Sequence, residues 1–304
     1  MDWRTAWEAA LYGADGFYRR ESPAEHFRTS VHASGGFAAA VLEYARRHRL
    51  RSVVDLGAGR GELLGALDAL APGELALHGV DVRPRPPELH ERITWSSELP
   101  DRIVGLLFAN ELLDNVPCDV VECDADGVVR GVLVDPVGGD EQLGEPVRDP
   151  DVLEWLERWW PLTEAGARAE VGVTREAVWS DAVARLEQGV AIAIDYGHLR
   201  ADRPPFGSVR SYRDGHEVTV ALDGSCDVTA HVAVDALARA VDGALVRQRD
   251  ALRDLGTDGT RPPIGLASTD PRAYVAALSA ASGAAELTAA GGLGDFWWVV
   301  SEVR

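Results

Sequence analysis

Apolar positions along this chain fall into short blocks, separated by stretches whose apolar residues recur at helical spacing. Ser52 to Leu56, Leu75 to Val82, Ile93 to Trp95, Val190 to Ile194 and Phe296 to Val300 are strand-sized blocks. Arg102 to Ala109 is almost continuously apolar, the mark of a parallel strand buried on both faces. Gly35 to Arg49, Leu63 to Leu70, Thr174 to Glu187, Val232 to Asp242 and Pro271 to Ser282 read as helices, with Thr174 as the N-cap of one. The helix from Val232 is expected to be capped from Asp227 or Thr229. Strands alternating with helices predict an α/β fold with a doubly wound, mostly parallel sheet.

The pattern changes in three places. Residues 1–50 read as a helical leader, with a short helix from Thr5 to Tyr12 before the longer one. Asp119 to Asp135 alternates apolar and polar residues around Asp124-Ala125-Asp126-Gly127, a β-hairpin signal. A loop rich in Gly, Pro and Asp and a Trp-rich helix, Asp151 to Trp160, complete an insertion at about 118–172. Residues at about 198–231 are loop-dominated, and loops that long inside a domain are commonly functional. The expected organisation is therefore a leader followed by one catalytic domain, 51–304, carrying an insertion and a substrate-loop region.

The first strand runs into Asp55-Leu56-Gly57-Ala58-Gly59-Arg60-Gly61-Glu62 and then a helix. Glycines in such a turn bring the backbone close to a ligand, and the helix start beyond them offers free N–H groups. Asp81 closes the next strand, which completes the layout of a nucleoside-cofactor site. A dinucleotide fingerprint needs a third glycine where Glu62 stands, so an NAD site is disfavoured. The plainer reading of the same residues is an ordinary tight turn between strand and helix. Asn110 and Glu111 follow the fourth strand, at the sheet edge where ligands bind in open α/β folds.

Composition narrows the classes. The chain has 304 residues, 46% of them hydrophobic, enough for a sizeable core. No apolar run reaches the roughly 18–20 residues of a membrane span, and no basic-then-apolar start marks a secretory signal. Cys118, Cys123 and Cys226 form no metal or C-x-x-C spacing, so a reducing, cytoplasmic setting and no bound metal are expected. Net charge is −19 and every basic residue is Arg, which argues against a nucleic-acid partner.

These segments together resemble the MidA-like family of S-adenosylmethionine (SAM) methyltransferases, which includes the mitochondrial complex I assembly methyltransferase. The resemblance rests on Phe17-Tyr18, His26 to Ser30, Asp55 to Leu63, Leu99-Pro100 and Ala109-Asn110-Glu111-Leu112-Leu113-Asp114-Asn115-Val116-Pro117. It continues through Asp195-Tyr196-Gly197, Gly207 to Tyr212 with His216, and Asp227-Val228-Thr229-Ala230-His231-Val232. The sequence departs from the family's usual pattern at His26 to Val31 and at Asp81, where the family has Glu in a Glu-x-Ser context.

The resemblance implies a Rossmann-like class I methyltransferase that uses SAM. It places Gly57, Gly59 and Gly61 around the cofactor, Asp55 near its amino-acid end and Asp81 on its ribose, with Thr29, Ser30, Asn110 and Glu111 also cofactor-binding. It also implies a protein substrate, a complex I subunit methylated on arginine. A guanidinium has a pKa above about 12, so carboxylates must orient it and absorb charge as it reacts. Glu111 and Asp114, three residues apart and able to share one face of a helical turn, are the candidates. His216 and His231 are the candidate bases, Tyr196 lines the pocket after strand five, and Arg210 is a candidate carboxylate partner. A small-molecule O- or N-methyltransferase and a non-catalytic assembly protein retaining the fold are the competing readings.

Overall fold

The computed structural model describes residues 1–20, 35–257 and 259–304. The chain forms two compact units: one of Met1–Phe27, Glu111–Ala184 and Gly197–Gly243, the other of Arg28–Asn110, Arg185–Tyr196 and Ala244–Arg304.

The second unit is built on a seven-stranded sheet. Its strands are β1 (Ser52–Leu56), β2 (Ala76–Val80), β3 (Thr94–Ser96), β4 (Ile103–Asn110), β5 (Leu186–Asp195), β6 (Ala244–Arg247) and β7 (Trp297–Val303). Their order is β3-β2-β1-β4-β5-β7-β6. Strands β1 to β5 pair in parallel, while β7 runs antiparallel to both β5 and β6. The arrangement is the expected mostly parallel α/β sheet, with the final strand inserted in reverse. Strand order turns back between β1 and β4, and a crevice outside the strand ends at such a point is where ligands bind.

Helix Gly35–Arg47 packs against helices Glu62–Leu70 and Pro271–Thr288. Phe37, Val41, Leu64 and Leu67 from the helices share one core with Val53, Leu106, Phe108, Ile192 and Trp298 from the sheet. Each such side chain contributes about 1.5–3 kcal/mol on burial, which fixes the strand ends in register. Strand β5 begins at Leu186, ahead of its apolar block, because Ile103 and Val104 of β4 pair with Leu186 and Gln188. The exposed Glu187 and Gln188 hid that start from a reading of hydrophobicity.

The first unit contains the expected hairpin, Asp119–Cys123 with Val129–Val134. It belongs to a four-stranded antiparallel sheet completed by Glu141–Pro146, in the stretch expected to be loop, and by Arg168–Val171. The segment expected to be loop-dominated also holds a three-stranded sheet: His216–Val218, Arg210–Arg213 and Asp227–Thr229. Gly197–His198 pairs in parallel with Val232–Ala233. Pairing partners rather than alternation make these strands, so their sequences give little local signal.

Two caps differ from expectation. The N-cap of helix Val173–Val183 is Gly172, and the Thr174 hydroxyl instead donates to the Pro117 carbonyl at 2.7 Å. Helix Val234–Ala240 begins at Ala233 with no side-chain cap, because Asp227 and Thr229 are engaged in a buried network. Trp7, Leu11, Phe17, Cys118 and Val228 share one core of this unit, and Trp155, Trp160, Val171 and Ala236 another. Among the described residues, no helix is long and apolar enough to cross a membrane.

Candidate functional site

The expected site residues divide between the units. Asp55, Gly57, Gly59, Gly61, Asp81, Asn110 and Tyr196 belong to the sheet unit, and Glu111, Asp114, Arg210, His216 and His231 to the other. Thr29 and Ser30 lie outside the described residues.

In the sheet unit, β1 delivers the chain into the glycine turn. Gly57, Gly59 and Gly61 have φ of 75°, 64° and 76°, a region that costs any residue with a side chain. Gly57 N–H and Ala58 N–H both donate to the Val80 carbonyl, at 2.8 and 3.1 Å, which ties the turn to the end of β2. Gly61 is the left-handed N-cap of helix Glu62–Leu70. A Cβ on Gly59 would meet Glu62 Oε2 at 3.0 Å, a tight contact with the end of a flexible side chain, with Arg83 Nη2 at 3.8 Å. At Gly61 the same atom would collide with Leu89 Cδ1 at 2.6 Å, so that glycine answers to packing as well as to φ.

Asp81 accepts from Gly59 N–H at 2.9 Å and from Arg83 N–H at 2.9 Å, while the Arg83 guanidinium lies across the same carboxylate. Asp55 is buried at 4% exposure. Burial first, then the Glu62 and Asp81 carboxylates, push its pKa well above the usual carboxylate range. Asn110 ends β4, paired with Ile194. Asp195 is buried at the end of β5 and accepts from Tyr196 N–H, whose ring lies 5.5 Å from that of Phe296.

This strand edge therefore gathers Asp55, Glu62 and Asp81 around the glycine turn, with Asp195 buried at the end of β5. SAM carries a sulfonium, an ammonium group and a ribose diol. An acidic edge with a side-chain-free turn fits those groups, and Asp55, Gly59 and Asp81 are the residues that would hold them.

In the other unit, Glu111 has φ 53° and a 3-10 turn, Leu113–Asn115, follows it. Glu111 and Asp114 thus do not share the face of one helical turn. Asp114 is 4% exposed and its Oδ2 accepts from the Thr229 hydroxyl at 2.6 Å. Asp227 Oδ1 accepts from Tyr18 OH at 2.9 Å and from Asn115 Nδ2 at 3.0 Å. Burial and the nearby Asp114 carboxylate push Asp227 up to about 8. Burial and Asp227 likewise raise the Tyr18 phenol well above its ordinary value. Arg175, 2% exposed, fastens the turn by donating to the backbone carbonyls of Val116, His231 and Asp114 at 3.1, 3.0 and 2.9 Å.

His231 N–H donates to Ser208 Oγ at 3.0 Å, and that hydroxyl donates in turn to the buried Glu170 carboxylate at 2.9 Å. The His231 ring reaches solvent, yet partial desolvation, then Arg210 and Arg175, lower its pKa and leave it neutral at pH 7. His216 and Arg210 are exposed, and Arg210 forms an ion pair with Glu217 at 3.2 Å. Sequence reasoning passed over His198, which directly follows the quoted Asp195-Tyr196-Gly197. It is 6% exposed, accepts at Nδ1 from Arg203 Nη1 at 2.6 Å and packs edge-on to Trp160 at 4.6 Å. Burial and the Arg203 charge depress its pKa to about 3, so it is a neutral imidazole 6.1 Å, ring to ring, from His231.

A COG1565 superfamily member from Burkholderia thailandensis, crystallised with S-adenosyl-homocysteine, superposes with a TM-score of 0.79 at 24% identity, covering 99% of this chain and 87% of that one. A native structure of a COG1565 superfamily protein from the same organism gives a TM-score of 0.80 at 24% identity, with the same coverage. No curated protein matches the chain. The likeness to the solved structures shows the fold, a Rossmann-like class I methyltransferase. The family model "Putative S-adenosyl-L-methionine-dependent methyltransferase" matches residues 66–249, more than half of the chain. This chain belongs to that family and is a SAM-dependent methyltransferase.

Proposed function

We propose that this methyltransferase is of the MidA type and methylates an arginine of a protein substrate, with a respiratory complex I subunit as the acceptor class its relatives imply. The observation that carries this reading is the buried carboxylate couple Asp114 and Asp227, in which burial and the Asp114 charge hold Asp227 well above the usual carboxylate range. Two buried carboxylates side by side disfavour each other's ionisation, and an entering guanidinium reverses that.

SAM supplies an activated methyl group, so the protein's share is positioning and electrostatics. Asp81 accepts from the ribose hydroxyls, Gly57, Gly59 and Gly61 give the backbone its close approach, and Asp55 attends the amino-acid end. Asn110 and Glu111 complete the cofactor side, together with Thr29 and Ser30. Asp114 orients the guanidinium through its carboxylate, with Tyr196 and Arg210 as further acceptor contacts. His231, neutral at pH 7, is placed to accept the proton released as nitrogen is alkylated, with His216 as the alternative base.

The direct test incubates the purified protein and SAM labelled in its methyl group with extract of a strain lacking this protein. Methylarginine in the hydrolysed protein fraction supports the reading. A label found only in small molecules overturns it and favours a small-molecule O- or N-methyltransferase. One observation supports that second reading: the first unit holds a cavity of about 320 Å³, the size of a small-ligand site, lined among others by Trp3, Glu170, Phe206 and Val209. Asp114→Asn checks the carboxylate role. Turnover should fall at least about tenfold while SAM affinity changes by less than about threefold, and unchanged turnover removes Asp114 from the chemistry.

A further inference from the structure

Arg83 was given no part in the site above, yet its guanidinium lies inside it. The backbone of Arg83 is fixed at both ends, its N–H donating to Asp81 Oδ1 at 2.9 Å and its carbonyl accepting from Trp95 Nε1 at 3.0 Å. From there the side chain folds back so that Nε reaches Asp81 Oδ1 at 3.0 Å and Nη2 reaches Oδ2 at 3.3 Å. Gly59 N–H holds Oδ2 from the other side at 2.9 Å. The carboxylate thus accepts four hydrogen bonds, about as many as its lone pairs allow.

The third guanidinium nitrogen, Nη1, is buried and has no hydrogen-bond partner among the described residues. Buried donors are almost always paired, and an orphan costs about 1–3 kcal/mol, so each one calls for an account. Here the account is local: Nη2 of the same fork stands 3.8 Å from where a Gly59 Cβ would be, against the glycine turn itself. An oxygen of a bound ligand is the simplest acceptor to complete the donor set.

The geometry points to Arg83 as a cofactor-binding residue, Nη1 donating to a hydroxyl oxygen of the cofactor's ribose. A hydroxyl both accepts and donates. Seated there, it takes the hydrogen bond from Nη1 and gives its own proton to Asp81 Oδ2 in place of the long contact from Nη2. Asp81 and Arg83 then act as one unit, an acceptor and a donor presented together to the diol. This assignment rests on the SAM reading of the glycine turn and extends it to a residue two positions beyond the expected acid.

The test is calorimetric binding of S-adenosylhomocysteine and of its 2′-deoxy and 3′-deoxy counterparts to the unaltered protein and to Arg83→Met. The unaltered protein should prefer the full ribose to at least one deoxy ligand by about tenfold. Arg83→Met should bind S-adenosylhomocysteine about tenfold more weakly and lose most of that preference. Equal or tighter binding by the variant, or a preference of unchanged size, overturns the assignment, since the guanidinium would then only compete with the ribose for Asp81. Arg83→Gln, read in the same way, serves if Arg83→Met does not fold. Absence of S-adenosylhomocysteine binding to the unaltered protein instead overturns the SAM reading itself, and the assignment with it.

Discussion

Asp227 shows how much one carboxyl can depend on its surroundings. Its folded pKa of about 8 stands against an ordinary value of 3.8, because burial and Asp114 both penalise the charge. Between those values the folded chain holds a proton that the unfolded chain has released. Stability therefore falls as pH rises through that window and levels off above it, and the raised pKa of Asp55 acts in the same direction. Asp227→Asn removes one of the two contributions. Its thermal midpoint should vary less than that of the unaltered protein between about pH 5 and about pH 8; an unchanged slope would show that Asp227 is not the titrating group. Gly59 makes the opposite kind of demand, for no side chain at all. Gly59→Val would force a β-branched residue to φ 64° and press it against Glu62 Oε2, a strain of about 1–3 kcal/mol. The chain should remain folded and lose SAM binding in calorimetry, and retained affinity would make the turn purely structural.

At the scale of elements, helix Val173–Val183 is tied to the Asp114 turn through Arg175, a side chain that no local pattern singled out. Its guanidinium serves three backbone carbonyls from a nearly fully buried position. Arg175→Met keeps much of the volume and leaves those carbonyls without a charged donor. Urea unfolding should show a loss of about 3 kcal/mol. A loss below about 1 kcal/mol would mean that water takes over the role. The same comparison shows which elements were legible in the sequence. β1 and β4 announced themselves as apolar blocks, because strands buried on both faces need them. Glu141–Pro146 did not, since none of its residues is buried, and Arg168–Val171 did not, since it is only four residues long; neighbouring strands supply their hydrogen bonds. The caps at Gly172 and Ala233 were missed for a related reason: Thr174, Asp227 and Thr229 found stronger partners far along the chain.

For the whole molecule, a ligand that binds only the folded state stabilises it by mass action, by about 2.7 kcal/mol at a hundredfold excess over Kd. SAM and S-adenosylhomocysteine should therefore raise the midpoint of thermal unfolding, and a midpoint that neither ligand moves would argue that the native chain does not take them.

The sequence by itself determined the mostly parallel sheet of the second unit, the glycine turn after β1 and a SAM-dependent methyltransferase, because short segments with a local physical demand carry each of them. It could not show that Gly61 also answers to Leu89, that Arg83 folds onto Asp81, that the buried Asp114 charge acts on Asp227, or that His198 is a buried neutral imidazole. Contacts of this kind join residues far apart in the chain, Tyr18 and Asp227 by 209 positions. Desolvation and charge proximity act through space rather than along the chain, so only the tertiary structure could decide them.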